Sequence, residues 1–204
     1  MTEVAAIVLA AGLGSRYRAA DRTAASKLVA DLEGKPLVRH AVAAALASRA
    51  RPVIVVTGHA GDAVRAALDG LPVRFVDNPH YAEGMATSLQ AGVVAVPGAI
   101  AGAVVLLGDM PRVTAALIDR LIAAFASDPS VAAVVPLRDG RRGNPVVLSR
   151  LLFGAVAELS GDQGARKLLA TDPRVLEVEI ADAAIGLDID TPGQLAELTN
   201  RGRY

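Results

Sequence analysis

The sequence of 204 residues contains no cysteine, no tryptophan and few other aromatic residues. Without cysteine the chain has no disulfide, no thiolate nucleophile and no thiolate ligand for a metal. An aromatic content of 3% leaves few platforms for stacking bases or sugar rings. An excess of one charge is also missing, because 21 Lys and Arg residues balance 21 Asp and Glu residues. We therefore expect no nucleic-acid partner, and any cation-rich site must be local.

The longest uncharged run is interrupted before it could serve as a membrane span. Residues 84–108 carry no charge, and a run of that length is enough to cross a bilayer. However, VPGAIAG at its middle predicts the end of a helix, a turn and a strand. The N-terminal MTEVAAIVLAAG has an acid where a signal peptide would carry cations. We expect a soluble, cytoplasmic protein without a membrane segment.

Length and composition favour a single domain over residues 1–204, since 52% of the residues are hydrophobic and 21% are charged. Apolar runs typical of strands alternate with helical patterns. The predicted strands cover residues 4–10, 52–57, 72–76, 102–109, 131–136 and 175–180. The predicted helices cover residues 36–48, 61–69, 85–96, 114–127, 150–159 and 164–170, and a last helix begins at Pro192.

This alternation indicates an α/β fold with a mainly parallel sheet and helices on both faces. After Pro136, LRDGRRGNPVVLS predicts a hairpin or an excursion from the alternating pattern, with Asp139 and Gly140 at the turn. Ligands of open parallel sheets bind at the carboxyl ends of the strands. The loop after the first strand and Asp109 after the fourth both lie at that edge, so we expect the binding site there.

The stretch IVLAAGLGSRYRAADRTAASKLV, residues 7–29, leaves the first strand through small residues and then carries the cations Arg16, Arg18, Arg22 and Lys27. Glycines in such a loop let the backbone approach a ligand, and successive amides can bind an anion. Arginine and lysine add charge-assisted contacts to phosphate oxygens. No Walker A sequence follows, and Tyr17 replaces the third glycine of a dinucleotide fingerprint. These residues alone leave both a phosphate site and a turn with solvated arginines open.

The motif LAAGLGSR followed by Lys27 resembles the signature of the MobA-like nucleotidyltransferases, and within that family it looks most like the molybdenum cofactor cytidylyltransferases. Further segments match in order over nearly the whole chain: GKPLVRHAV (34–42), VIVVTGH (53–59), NPHYAEGMATSLQAG (78–92), VVLLGDMP (104–111), RRGNPV (141–146) and LDIDTP (187–192). The resemblance implies a Rossmann-like α/β/α sandwich of the nucleotide-diphospho-sugar transferase type. It also implies Mg²⁺-dependent transfer of CMP from CTP, or of another nucleotide, to a phosphorylated acceptor with release of pyrophosphate. The acceptor it suggests is a molybdopterin-type molybdenum cofactor.

The resemblance also assigns residues to the reaction. It gives catalytic roles to Arg16, Lys27 and Asp109, and metal ligation to Asp109 and Asp190. It assigns the nucleotide to Leu9, Ala10, Ala11, Gly12, Leu13, Gly14, Ser15, Arg16, Lys27, Thr87 and Ser88. Contacts to the acceptor are expected from His59, Asn78, Tyr81, Asn144 and Asp188. Asp188 and Asp190 share one face of an extended segment, so either fits the second ligand, and either also fits a cap of the helix that begins at Pro192.

The chain departs from the family pattern at three places. Arg16 and Lys27 are eleven positions apart, which is a longer spacing than the family usually has. Tyr17 replaces the usual Met, and Asn144 stands where many relatives have His. Ala11 follows the cytidylyl pattern, since guanylyl-transferring relatives more often carry Leu-Ala-Gly-Gly at residues 9–12.

Two other functions fit the glycine-rich loop. An NAD(P)H-dependent oxidoreductase would use it for a dinucleotide, but the second strand ends in Thr57 and Gly58 rather than in an acid for the ribose. A non-catalytic nucleotide-binding chaperone for the cofactor would keep Arg16 and would need no second carboxylate. The sequence leaves the oligomeric state open.

Overall fold

A computed structural model describes residues 2–21 and 26–201, and Arg22 lies outside the described residues. The strands are β1 (Val4–Ala10), β2 (Asp31–Leu32), β3 (Lys35–Pro36), β4 (Val53–Thr57), β5 (Arg74–Asp77), β6 (Gly102–Leu107), β7 (Ala133–Arg138), β8 (Arg141–Arg142), β9 (Val146–Ser149) and β10 (Val175–Glu179). The α-helices are α1 (Ser15–Ala20), α2 (Leu37–Ala47), α3 (Gly61–Ala67), α4 (Met85–Val94), α5 (Ala115–Ala126), α6 (Phe153–Ala157), α7 (Arg166–Thr171) and α8 (Pro192–Arg201).

The central sheet has the order β10-β7-β9-β6-β1-β4-β5, and β8 pairs with β7. Strand β1 runs parallel to β4 and β6, β4 to β5, and β7 to β10. Strand β9 is antiparallel to both β6 and β7, so β6 and β7 point the same way. The carboxyl ends of β1, β4, β5, β6, β7 and β10 therefore meet at one edge, hereafter the carboxyl edge. The mainly parallel α/β/α architecture is as predicted.

Strand β1 is buried on both faces, which explains its continuous apolar run. Because side chains alternate across a strand, Val4, Ala6, Val8 and Ala10 pack on the side of α2, α3 and α5. Ala5 and Ile7 pack on the opposite side, with α4, α6 and α7. The loop that follows β1 consequently starts from the centre of the sheet.

The strand boundaries differ from those predicted by up to two residues. Strand β5 begins at Arg74 rather than at residue 72. Strand β7 covers Ala133–Arg138 rather than 131–136, because the amide of Val131 bonds to Asp128 in a turn, and Leu137 and Arg138 pair with β8. The predicted hairpin is present, with Asp139 and Gly140 at φ values of 51° and 71°, the left-handed conformations that its tight turn requires.

The uncharged run of residues 84–108 forms α4, a turn and β6, as predicted. Within residues 2–21 and 26–201, every helix is too short or too polar to cross a membrane.

Gly92 sets the distance between α4 and the sheet. A Cβ atom at Gly92 would lie 2.6 Å from Cγ2 of Ile7 on β1 and 3.3 Å from Cγ2 of Val56 on β4. We expect Gly92→Ala to lower the free energy of unfolding by about 1–3 kcal/mol, because overpacking forces the helix away from the sheet. Urea denaturation measures the change.

Gly154 is the matched control, because it also lies in a helix, α6, but a Cβ atom added there would meet no other part of the described chain within 4 Å. Gly154→Ala should be neutral or stabilising by up to about 1 kcal/mol through helix propensity alone. Equal effects of the two substitutions would contradict the close approach of α4 to β1.

Candidate active site

The loop after β1 leads into a short helix that the sequence did not predict. Gly14 precedes α1 with φ of 58° and ψ of 39°, a left-handed conformation that glycine adopts without strain. Arg16 and Arg18 then lie on α1 rather than in an extended loop. A Cβ at Gly14 would be 3.5 Å from Cγ of Lys27. The glycine loop and Lys27 are therefore neighbours in spite of their long separation in sequence.

Lys27 is fixed by the residues on either side of it. It opens a 3-10 turn, Lys27–Val29, in which the hydroxyl of Ser26 accepts a hydrogen bond from the amide of Leu28. Leu28 is buried in the core on the α2 and α5 side of the sheet, and its Cδ2 lies 3.4 Å from a Cβ position at Gly108, just after β6. This anchor brings Lys27 to the carboxyl edge.

The C-terminal segment reaches the same edge through a small core of its own. The buried residues Tyr17, Leu32, Leu37, Ile189 and Leu195 pack together. The amide of Ile189 donates a hydrogen bond of 3.1 Å to the carbonyl oxygen of Asp109. Because Ile189 points inward, Asp188 and Asp190 share the opposite face of this segment, as expected from their spacing.

Four charged side chains meet at this point, and we call them the Lys27 cluster: Arg16, Lys27, Asp109 and Asp190. The Nζ atom of Lys27 lies 2.6 Å from Oδ2 of Asp109 and 3.0 Å from Oδ1 of Asp190. The guanidinium of Arg16 donates to Oδ2 of Asp190 at 2.6 Å. Side-chain exposure is 13% for Lys27 and 16% for Asp109, but 79% for Arg16. The interior of the cluster is thus shielded, while Arg16 lies at its exposed rim.

Burial and charge act on the pKa values in the cluster in different ways. Burial raises the pKa of Asp109 above its usual value, in spite of the opposing attraction of Lys27, and the nearby charge of Asp188 raises it further. Hydrogen bonding from Lys27 lowers the pKa of Asp190, and Arg16 adds to this. Burial alone would lower the pKa of Lys27, but Asp109 and Asp190 outweigh it and raise the pKa. Lys27 is therefore a cation at neutral pH.

One carboxylate oxygen of the cluster is unsatisfied. Oδ1 of Asp109 is buried and has no hydrogen-bond partner within the described residues, which is costly for a carboxylate. The described residues hold no group of three or more His, Asp or Glu side chains arranged for a metal. Two carboxylates with a free oxygen nevertheless fit a hard divalent cation whose remaining ligands are phosphate oxygens and water.

Thr87 and Ser88 lie in the first turn of α4, where their hydroxyls are hydrogen-bonded to Asn78, which directly follows β5. The side-chain amide of Asn78 donates to the hydroxyls of Thr87 at 2.9 Å and of Ser88 at 3.0 Å. Its carbonyl oxygen accepts from the amide of His80. Asn78 is buried, so its visible role is to fix the start of α4 at the carboxyl edge. Its predicted contact with an acceptor stays a prediction, as do the nucleoside contacts of the two hydroxyls.

His59 and Tyr81 lie beside the glycine loop. The amide of His59 donates to the carbonyl of Ala11, and the rings of His59 and Tyr81 are 5.9 Å apart. The guanidinium of Arg18 lies 3.2 Å from Nε2 of His59, which must therefore be the acceptor. The sequence offered Arg18 only as one of the cations of a candidate phosphate site, and no local pattern could have indicated this contact with a residue 41 positions away.

Asn144 lies elsewhere along the same edge. Its amide donates to the carbonyl of Ile185, within the 3-10 turn Ala183–Gly186. The structure thus brings Arg16, Lys27, Asp109 and Asp190 into direct contact, with Asp188 beside them, whereas Asn144 contacts the turn that precedes Asp188. A role for Asn144 in acceptor binding stays a prediction.

Comparison with known proteins shows that the chain is similar to nucleotidyltransferases. The family model described as the MobA-like NTP transferase domain matches residues 6–177. The chain is 31% identical over 206 residues to the molybdenum cofactor cytidylyltransferase of Escherichia coli K12, covering 100% of this chain and 98% of that protein. It is 37% identical over 134 residues to the bifunctional protein GlmU of Aromatoleum aromaticum, covering 65% of this chain and 28% of GlmU. The chain thus matches only about a quarter of the length of the GlmU relatives.

Solved structures with a similar fold also match nearly the whole chain. Rv0371c from Mycobacterium tuberculosis H37Rv superposes with a TM-score of 0.80 at 29% identity, covering 98% of this chain and 99% of that one. A complex of Rv0371C with manganese superposes with a TM-score of 0.78 at 28% identity and the same coverage.

Proposed function

Because this chain belongs to the MobA-like NTP transferase family of nucleotidyltransferases, we propose that it transfers CMP from CTP to a molybdopterin-type molybdenum cofactor and releases pyrophosphate. The Lys27 cluster at the carboxyl edge is the observation that carries the proposal. Similarity over the full chain to a molybdenum cofactor cytidylyltransferase supports the choice of donor and acceptor. The cytoplasmic location expected from the sequence stays a prediction.

In the proposed reaction, a phosphate oxygen of the acceptor attacks the α-phosphorus of CTP. A new P–O bond joins CMP to the acceptor, and the bond between the α- and β-phosphates breaks, so that pyrophosphate leaves with the electron pair. Such a transfer depends on in-line positioning and on neutralising the charge that develops on phosphate oxygens. Lys27 is shielded beside the glycine loop and would contact the α-phosphate, where charge builds up. The exposed Arg16 would hold the β- and γ-phosphates.

Asp109 and Asp190 would hold the divalent cation, which we propose to be Mg²⁺. The unsatisfied oxygen of Asp109 and the shared approach of both carboxylates to one ammonium group support this assignment. When bound, the metal would screen the carboxylates from the triphosphate and withdraw charge from its oxygens.

Ligand-induced changes in thermal stability test the class of ligand. We expect CTP with Mg²⁺ to raise the melting temperature most, and GTP, ATP and NADPH to raise it less, because a ligand stabilises the state that binds it. A shift with NADPH that needs no metal would instead support the oxidoreductase alternative. A shift with CTP but no turnover with any acceptor would support the non-catalytic chaperone.

Preference for CTP over GTP is a separate prediction, and it depends on Ala11. Ala11 is buried, and its Cβ is 2.9 Å from a Cβ position at Gly58, which leaves little room beside the loop. We expect CTP to compete more strongly than GTP for the wild-type site. Ala11→Gly should shift the ratio toward GTP by roughly tenfold, the scale of one methyl group in a pocket. Equilibrium competition against a labelled nucleotide measures both ratios, and Ala47→Gly, the same substitution at an exposed position at the end of α2, is the control. Tighter GTP binding by the wild type would contradict the predicted preference for CTP, and the membership of the chain in its family would still hold.

A further inference from the structure

The ammonium of Lys27 lies between the two carboxylates that are the best candidates for metal ligands. It contacts Oδ2 of Asp109 at 2.6 Å and Oδ1 of Asp190 at 3.0 Å. Arg16 contacts the other oxygen of Asp190 at 2.6 Å. Three of the four carboxylate oxygens are thus paired with side-chain cations, and the fourth, Oδ1 of Asp109, is buried.

We propose that Lys27 and the divalent metal compete for these oxygens, so that the metal binds well only when phosphate groups draw Lys27 away. This inference rests on the proposed function and concerns the order in which the site fills. It gives Lys27 a second role, which is to keep the carboxylates paired until the nucleotide arrives.

Lys27 and a divalent metal bound to the same carboxylates would lie a few Å apart, and the repulsion between them favours exclusion of one by the other. The two acids and two bases of the Lys27 cluster balance, and the nearby Asp188 adds one negative charge. A divalent cation added alone would still leave an excess of positive charge. Like charges a few Å apart repel each other strongly, and burial makes the repulsion stronger. A triphosphate reverses this balance, because it supplies new partners for Lys27 and Arg16 and leaves the carboxylates free for the metal.

Lys27 lies close to both sets of partners, the two carboxylates and the glycine loop. Its stem lies against Gly14, where even an added Cβ would make only an ordinary contact at 3.5 Å. Lysine has a flexible four-carbon stem and three donors, so its ammonium can turn toward the glycine loop while the backbone stays anchored by Leu28.

The first test measures Mn²⁺ affinity in the absence of nucleotide, by titration calorimetry, for wild type, Lys27→Met and Lys35→Met. Lys35 is the matched control, because it is exposed and lies outside the cluster. We expect Lys27→Met to bind Mn²⁺ about tenfold more tightly than wild type, which is a typical coupling between two sites. Lys35→Met should leave the affinity unchanged. An Mn²⁺ affinity that stays equal or falls in Lys27→Met would overturn the proposal.

The second test uses wild type alone, because Lys27→Met leaves two carboxylates facing each other and could impair folding. Reductive methylation followed by mass spectrometry reports how free each lysine ammonium is. We expect saturating Mn²⁺ without nucleotide to raise the labelling rate of Lys27 several-fold relative to Lys35 and Lys167. An unchanged relative rate would contradict the competition.

Neither measurement involves turnover, so the proposed competition can fail independently of the proposed function. The competition stands if Mn²⁺ behaves as expected and no pyrophosphate is released with any acceptor, and the transfer assignment then fails alone. Conversely, if the wild type transfers CMP efficiently but Lys27→Met binds Mn²⁺ with unchanged affinity, only the proposed competition is wrong.

Discussion

Asp109→Asn should lower the rate of pyrophosphate release by about 10³-fold at low Mg²⁺, which is the scale of losing one preorganised charge interaction in a transition state. Asparagine keeps the size of the side chain but removes the charge that would hold the metal beside the triphosphate. Asp109 is shielded, with 16% of its side chain exposed, and one of its oxygens has no partner within the described residues. Excess Mg²⁺ should therefore rescue the variant poorly.

A Mg²⁺ titration of pyrophosphate release separates Asp109 from its neighbours. Asp190→Asn should raise the Mg²⁺ requirement more than it lowers the maximal rate, since Asp190 is more exposed, at 28%, and is shared with Arg16. Asp188→Asn should be milder, because Asp188 is exposed and acts on Asp109 only through its charge. Asp128→Asn, in an exposed turn, is the control. Near-normal activity of Asp109→Asn at low Mg²⁺ would show that the metal assignment is wrong.

Lys27→Ala should lower turnover by about 10²-fold or more while changing the affinity for CTP much less, because its ammonium would act on charge that develops only in the transition state. Steady-state rates and direct nucleotide binding, measured on the same preparation, separate the two effects. Lys35→Ala is the control for the loss of a lysine, and thermal melts check that Lys27→Ala folds. If only affinity changes, Lys27 acts in binding alone, and Arg18, beside His59, becomes the next residue to test.

The fold was predictable where local pattern and topology agree. The apolar run of β1 indicates burial on both faces, and both faces are covered. The insertion of β9 between β6 and β7 was not predictable, because NPVVLS carries no local signal for its partners, and long-range pairing fixes its place. Helix α1 was missed for a related reason. Its six residues form an isolated turn too short to show a helical period, and buried Tyr17 holds it through the core it shares with α8.

The residues of the candidate site were largely predictable from the sequence, but the contacts that bring them together were less so. Asp109 and the glycine loop follow from the rule that ligands bind at the carboxyl ends of parallel strands. Lys27 lies eleven positions after Arg16, and its place depends on the burial of Leu28. The approach of Asp190 depends on the hydrogen bond from Ile189 to the carbonyl of Asp109, a contact between distant segments that no sequence spacing encodes.

Transfer of label from CTP carrying a radioactive α-phosphate to molybdenum cofactor, with pyrophosphate measured in the same reaction, tests the central claim most directly. We expect the label to move to the cofactor with one pyrophosphate released for each transfer, only with a divalent metal, and not with Asp109→Asn. Label transfer from GTP alone, or pyrophosphate release without labelled cofactor, would contradict the proposed cytidylyl transfer.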